Sequence, residues 1–192
     1  MDALALLHTR NSVAQLTDPA PTGDVLSDMI KAGMRAPDHG WLRPWRFLTI
    51  SGDDRNHFGA LMVAAANKNR SVAGEPLLND QEAERLAAKA LRAPLILVVV
   101  ASIKDSIKVP VIEQQISAGC AAHGILLAAQ AHGFAGIWRT GVYAFDKTVK
   151  RGLGLLDREE ITGFIYLGTP ACGYKVLREL AVDDFCQQWS PG

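Results

Sequence analysis

The spacing of apolar residues changes several times along this chain, and each change marks an element. Leu4, Leu6 and Leu7 behind Asp2 predict a short first helix, capped by Asp2 and broken at Thr9-Arg10-Asn11-Ser12. After the turn Asp18-Pro19-Ala20-Pro21, Thr22 caps a second helix with Asp24 in its first turn and Val25, Met29 and Ala32 at helical spacing. Pro37 stops that pattern, and residues 35–45 read as an irregular loop. Trp45 to Ile50 is strand-like and closes at Ser51-Gly52. Phe58, Leu61, Met62 and Ala65 share one side of a helix over 54–66. Asn67 to Pro76 is polar and reads as a mobile connection, and a further helix starts near Asn79 or Asp80 and runs to Leu91. Pro94 to Ala101 is a continuous apolar run of strand length, which predicts a strand buried on both faces.

Pro110 to about His132 is the longest predicted helix, ~33 Å if unbroken. Its middle is built of small residues: Ser117, Ala118, Gly119, Cys120, Ala121, Ala122 and Gly124. Gly119 and Gly124 cost about 1 kcal/mol each in helix propensity, so close packing has to compensate. Gly133 ends the helix, Phe134 to Trp138 reads as a second central strand, and Arg139-Thr140-Gly141 turns out of it. A short helix follows over Asp146 to Leu153, then a capping-box-like turn at Asp157 and Glu160, then a strand from Ile161 to Gly168 closed by Thr169-Pro170. The tail from Lys175 has no strong period. Together these elements predict one α+β domain over residues 1–192, a small mixed or antiparallel sheet flanked by helices with the long helix central.

Composition narrows the function. Of the 192 residues 48% are apolar and 21% charged, which excludes a disordered chain. Twenty basic residues offset twenty acidic ones, so there is no basic surplus for nucleic acid. A protein without net charge has little colloidal repulsion, a mild prior for self-association. The start carries an acid where a signal peptide carries Lys or Arg, and no apolar stretch reaches the ~18 residues of a membrane span. The three cysteines, Cys120, Cys172 and Cys186, are odd in number and widely spaced. That pattern suits a reduced cytoplasm and no metal site.

Common catalytic signatures are absent: no GxSxG, HExxH, Walker loop or GxGxxG. The five histidines have no metal-ligand spacing, and His123 reads as a satisfied core histidine. Glu159-Glu160 reads as a capped turn in preference to a catalytic pair. Two segments remain. Arg10-Asn11-Ser12 with Arg35-Ala36-Pro37-Asp38-His39 supplies bidentate and hydroxyl donors that suit a phosphate or polyol, against the alternative of an exposed helix end. Trp138-Arg139-Thr140-Gly141 closes a strand, where ligands bind in α/β layouts; a buried Trp beside a solvated Arg is the equal alternative.

In order, Arg10-Asn11-Ser12, Arg35-Ala36-Pro37-Asp38-His39, Pro44-Trp45-Arg46-Phe47, Gly136-Ile137-Trp138-Arg139-Thr140-Gly141 and Tyr166-Leu167-Gly168-Thr169-Pro170 resemble the motifs of FMN-dependent nitroreductases, more narrowly the short YdjA-type members. Each motif is weak alone; five in order are specific, and they cover the chain from Met1 to Pro170. The resemblance implies a nitroreductase-like fold and a cytoplasmic homodimer with FMN between the subunits, with the tail 171–192 packed on the partner. It implies Arg10, Asn11 and Ser12 at the phosphate and ribityl end. Arg35 and His39 would contact FMN in a site shared between subunits, and Trp138, Arg139 and Thr140 would line the flavin. The family's pyridine-nucleotide patch falls near Ala128 to Gly133. Hydride would pass from NAD(P)H through FMN to a nitroaromatic, quinone or similar flat acceptor by ping-pong kinetics, with no side-chain nucleophile. Trp41, Trp138 and Phe145 are candidate walls, with the core reading favoured for Trp41 and Phe145. Asn11 stands where many relatives carry Arg, and Gly40 where many carry a basic residue. The Asn11 departure is the best argument for the rival reading, a non-catalytic flavin-binding dimer acting as sensor or carrier. A second rival, dehalogenation or flavin breakdown on the same scaffold, needs an aromatic lid that 67–80 does not supply.

Overall fold

The strand over Leu95–Ser102 (β3) has all eight residues buried, and its two sides build two separate cores. The computed structural model describes residues 2–191. Ile96, Val98 and Val100 pack with Phe58, Met62 and Leu86 on one face of the sheet. Leu95, Leu97 and Val99 pack with Met29, Ile125 and Leu126 on the other. A strand covered by helices on both faces has no polar side to show, which is why its sequence does not alternate. On the first face lie the helices Asp54–Ala73 (α3), Asp80–Ala87 (α4) and Lys147–Gly152 (α6). On the second lie Gly23–Gly33 (α2) and Val111–Ala131 (α5).

Trp45–Ser51 (β2) pairs with one side of β3 and Glu159–Pro170 (β5) with the other, both antiparallel. The far side of β5 takes Ala135–Arg139 (β4) and the two-residue strand Leu16–Thr17 (β1), also antiparallel. The sheet is therefore wholly antiparallel. β4 is an edge strand, not the second central strand its apolar content predicts. Its free side is partly capped by the chain before β1, where the Val13 N–H donates to the Gly136 carbonyl at 3.1 Å.

α5 crosses α2 closely. A Cβ on Gly124 would lie 3.2 Å from the Ala32 carbonyl oxygen, and one on Gly33 would lie 2.7 Å from Cγ1 of Ile125. This backbone approach is what the small-residue stripe makes possible. Gly119 is different: its nearest neighbour is Trp138 Cη2 at 3.6 Å.

Three local expectations change. Residues 67–73 continue α3 instead of forming a mobile connection. Their polar side chains are engaged: Asn67 accepts from the Leu78 N–H at 2.8 Å, Asn69 donates to Asp146 at 2.7 Å, and Arg70 pairs with Glu82 at 3.3 Å. Gly74, at φ 72°, ends the helix. Glu159 and Glu160 open β5, and the turn before them is capped by Glu159, whose carboxylate accepts the Leu156 N–H at 3.0 Å. Arg46 also holds the buried Glu159 through two nitrogens at 2.6 Å each, and Lys150 holds Glu160 at 2.9 Å. The first helix, Ala3–Thr9 (α1), takes its cap from Asp2 but buries none of its residues. Among the described residues no helix is long and apolar enough to cross a membrane.

Candidate functional site

β4 ends in Trp138-Arg139, and Gly141 at φ 68° turns the chain out of the sheet. This end forms one wall of a cavity of about 440 Å³. Lys89, Arg92 and Arg139 bring three cations to it, and Tyr143, Phe164 and Tyr166 bring aromatic surface. No carboxylate lines it among the described residues. The Arg139 guanidinium sits 5.9 Å from the centre of the Tyr166 ring. Its Nε is buried and has no hydrogen-bond partner. A buried donor without a partner is costly, so the position awaits an acceptor from outside the chain. Burial raises the Tyr166 phenol above its ordinary range, against the pull of Arg139 and Arg92. Burial, with help from Asp146, raises Tyr143 as well.

Trp138 stands between two hollows. Its indole nitrogen packs over Gly163, where any Cβ would overlap the ring. Gly163 lies beside the register shift at Val99/Val100, so the bulge opens the seat for the indole. On its other side Trp138 lines a groove of about 470 Å³ with Arg35, Cys120 and His123.

The first sequence motif reaches β4 through the Val13–Gly136 bond. Arg10 Nη1 donates to Ser12 Oγ at 3.4 Å. The Asn11 amide N–H donates to Gln130 at 3.4 Å, and its side chain donates to the Lys175 carbonyl at 2.7 Å. Arg35 shares a groove with Trp138, whereas His39 turns to α5 and hydrogen-bonds Glu113 through Nδ1 at 2.7 Å. Within one chain the fold thus brings Trp138, Arg139 and Thr140 into one cavity, ties the segment that follows residues 10–12 to the same strand at Val13, and leaves His39 apart. Trp41 and Phe145 are not core residues: they are 82% and 74% exposed. His123 is also exposed on α5, which removes its reading as a core histidine.

Sequence reasoning missed Lys89 and Arg92. They flank the last turn before β3, a helix end with ordinary basic residues. Only the tertiary packing brings this turn to the cavity that the end of β4 lines.

Comparison with known proteins agrees with the architecture. A helix-covered antiparallel sheet with this connectivity defines a nitroreductase-like α+β fold. A nitroreductase-like family protein from Bacillus cereus superposes with TM-score 0.83 at 18% identity, covering 98% of this chain and 96% of that one. A Desulfovibrio desulfuricans protein described as "a putative nitroreductase in complex with fmn" superposes with TM-score 0.73 at 21% identity, covering 100% and 99%. The sequence pattern of the Nitroreductase family matches residues 7–169. "Putative NAD(P)H nitroreductase YdjA" of Escherichia coli K12 is 43% identical over 170 residues, 88% of this chain and 89% of that protein. The chain belongs to the Nitroreductase family, a family of oxidoreductases.

Proposed function

We propose that this protein is an FMN-dependent NAD(P)H oxidoreductase of the nitroreductase type, active as a cytoplasmic homodimer. One observation carries the reading. Arg139, whose buried Nε has no hydrogen-bond partner, lines an aromatic cavity with two further cations and no carboxylate. An anionic, planar, hydrogen-bond-accepting group fits that donor set. FMN, when bound, supplies the redox chemistry, taking hydride from NAD(P)H and passing reducing equivalents to a nitroaromatic, quinone or similar flat acceptor in a ping-pong sequence.

The chain's own residues bind and orient. Arg10 and Ser12 supply donors for a phosphate and ribityl chain, with Asn11 holding the loop that carries them. Trp138 and Thr140 line the ring, and Arg139 donates to it. Lys89 and Arg92 would add positive charge on the same side of the cavity, favouring an anionic ligand there. Arg35 contacts FMN from the groove it shares with Trp138, and His39 reaches the site of the partner subunit, which accounts for its separation within one chain. The hydrogen bond to Glu113 fixes the His39 ring for that role. No side-chain nucleophile is required, in keeping with the missing signatures. The whole of residues 1–192 acts as one domain, and the tail 171–192 packs on the partner.

Purified protein tests this directly. It is expected to be yellow and to release close to one FMN per chain on denaturation. Colourless protein that takes up no added FMN overturns the reading.

A further inference from the structure

Between the last turn of α2 and the loop over 38–45 lies a groove of about 570 Å³. Lys31, Arg35, Arg43, Trp41, Trp45 and Asp38 line it. Among the described residues, Lys31, Arg35 and Arg43 take part in no ion pair. Asp38 is occupied: its carboxylate accepts the Arg43 backbone N–H at 2.8 Å. That bond closes a loop in which Gly40, Trp41 and Arg43 have φ of 74°, 58° and 48°. Trp and Arg disfavour this left-handed region, and such strain gathers at ligand clamps. What the strained loop presents is a Trp41 ring left 82% exposed beside three cations. A helix C-terminus accounts for Lys31 alone. It does not account for Arg43 or for the bare indole.

The groove is joined to the proposed flavin cavity by shared walls. Arg35 lines it and the groove of Trp138, and Trp138 lines the cavity of Arg139. A ligand running along these walls has its redox end near Trp138 and an anionic aromatic end near Lys31 and Arg43. The stretch 128–133 offers no comparable anion site, since Gln130 is bonded to Thr9 and Asn11 and His132 is paired with Asp28 at 2.8 Å.

We propose that this groove binds the adenosine 2′-phosphate end of NADPH, with Lys31 and Arg43 on the phosphate and Trp41 stacked on the adenine. The assignment rests on the flavin reading above and deepens it: it makes the protein prefer NADPH to NADH. A phosphomonoester carries close to two negative charges at neutral pH, which suits three cations offset by one carboxylate.

The test is calorimetric titration of the full-length chain with 2′,5′-ADP and with 5′-AMP, which lacks the 2′-phosphate. The former is expected to bind at least tenfold tighter. Lys31→Ala and Arg43→Ala are each expected to remove most of that difference, and Trp41→Ala to weaken both nucleotides. In stopped-flow reduction, Arg43→Ala is expected to lower kcat/KM for NADPH about tenfold more than for NADH. Matching thermal melts of the variants exclude misfolding as the cause. Equal binding of the two nucleotides overturns the proposal, as does an Arg43→Ala variant that discriminates like the parent. So does a groove that takes 4-nitrobenzoate and not 2′,5′-ADP, which marks it as a site for anionic acceptors. The titration runs with or without bound flavin, so failure to hold FMN overturns the flavin reading separately.

Discussion

The side chain of Asn11 donates a 2.7 Å hydrogen bond to the main-chain carbonyl of Lys175, joining positions 164 residues apart. Asn11 thus serves as a tie. It fixes the start of the tail against the loop that carries Arg10 and Ser12. Such a bond is worth about 1 kcal/mol, so its loss opens the tail about fivefold more often. Asn11→Ala is expected to speed tryptic cleavage at Lys175 and Arg178 by about that factor, with the melting temperature little changed. Unaltered cleavage rates would show that Asn11 does not hold the tail.

Arg139 gives a split signature. Its buried Nε has no partner in the free chain, while the guanidinium has the Tyr166 ring. Truncation relieves about 1–3 kcal/mol of desolvation and loses about 0.5–1 kcal/mol of cation–π attraction. Arg139→Ala is therefore expected to leave the flavin-free protein as stable as the parent or more so. Its FMN affinity is expected to fall about tenfold or more, as followed by flavin fluorescence. A variant that melts early and still retains FMN contradicts this assignment.

Arg10→Ala tests the other end of the site. Loss of a charge-assisted donor is expected to weaken FMN by about 1.5–3 kcal/mol. Equilibrium dialysis measures this, and full retention removes Arg10 from the phosphate site.

Arg46 holds the Glu159 carboxyl at about 2, well below its usual 4.5. The folded state therefore binds fewer protons than the unfolded one. The stabilisation is complete above pH 4.5 and is lost as pH falls toward about 2. Glu159→Gln is expected to cost about 2–3 kcal/mol at neutral pH, less than a fully buried pair because Arg46 is a third exposed. Denaturant melts from pH 7 to 2.5 are expected to show the acid-limb slope reduced in this variant. An identical slope refutes the coupling.

The two glycines of α5 separate by sign. At Gly119 a methyl meets only the Trp138 ring at 3.6 Å, so Gly119→Ala is expected to stabilise by about 0.5–1 kcal/mol through helix propensity. At Gly124 it presses the Ala32 carbonyl, a backbone atom 3.2 Å away. Gly124→Ala is expected to destabilise by about 1 kcal/mol despite the same propensity gain. Thermal melts that move in one direction for both would contradict the packing described.

Much of this was legible before any fold was known. The run Leu95–Ser102 reads as a doubly covered strand because burial on both faces leaves no polar positions. Asp2, Asn79 and Asp146 mark helix starts by their own capping bonds, and Gly133 marks an end. Trp138-Arg139-Thr140-Gly141 is visible as a strand end rich in donors. These features depend on each residue and its near neighbours along the chain. The edge position of β4, the pairing of Arg46 with Glu159, and the meeting of Lys89 and Arg92 with Arg139 do not. Periodicity records which side of an element is buried and says nothing about which element covers it. Strand order and helix crossing are settled by side-chain fit between distant segments, and that fit puts Arg139 beside Lys89 and Arg92 in one cavity.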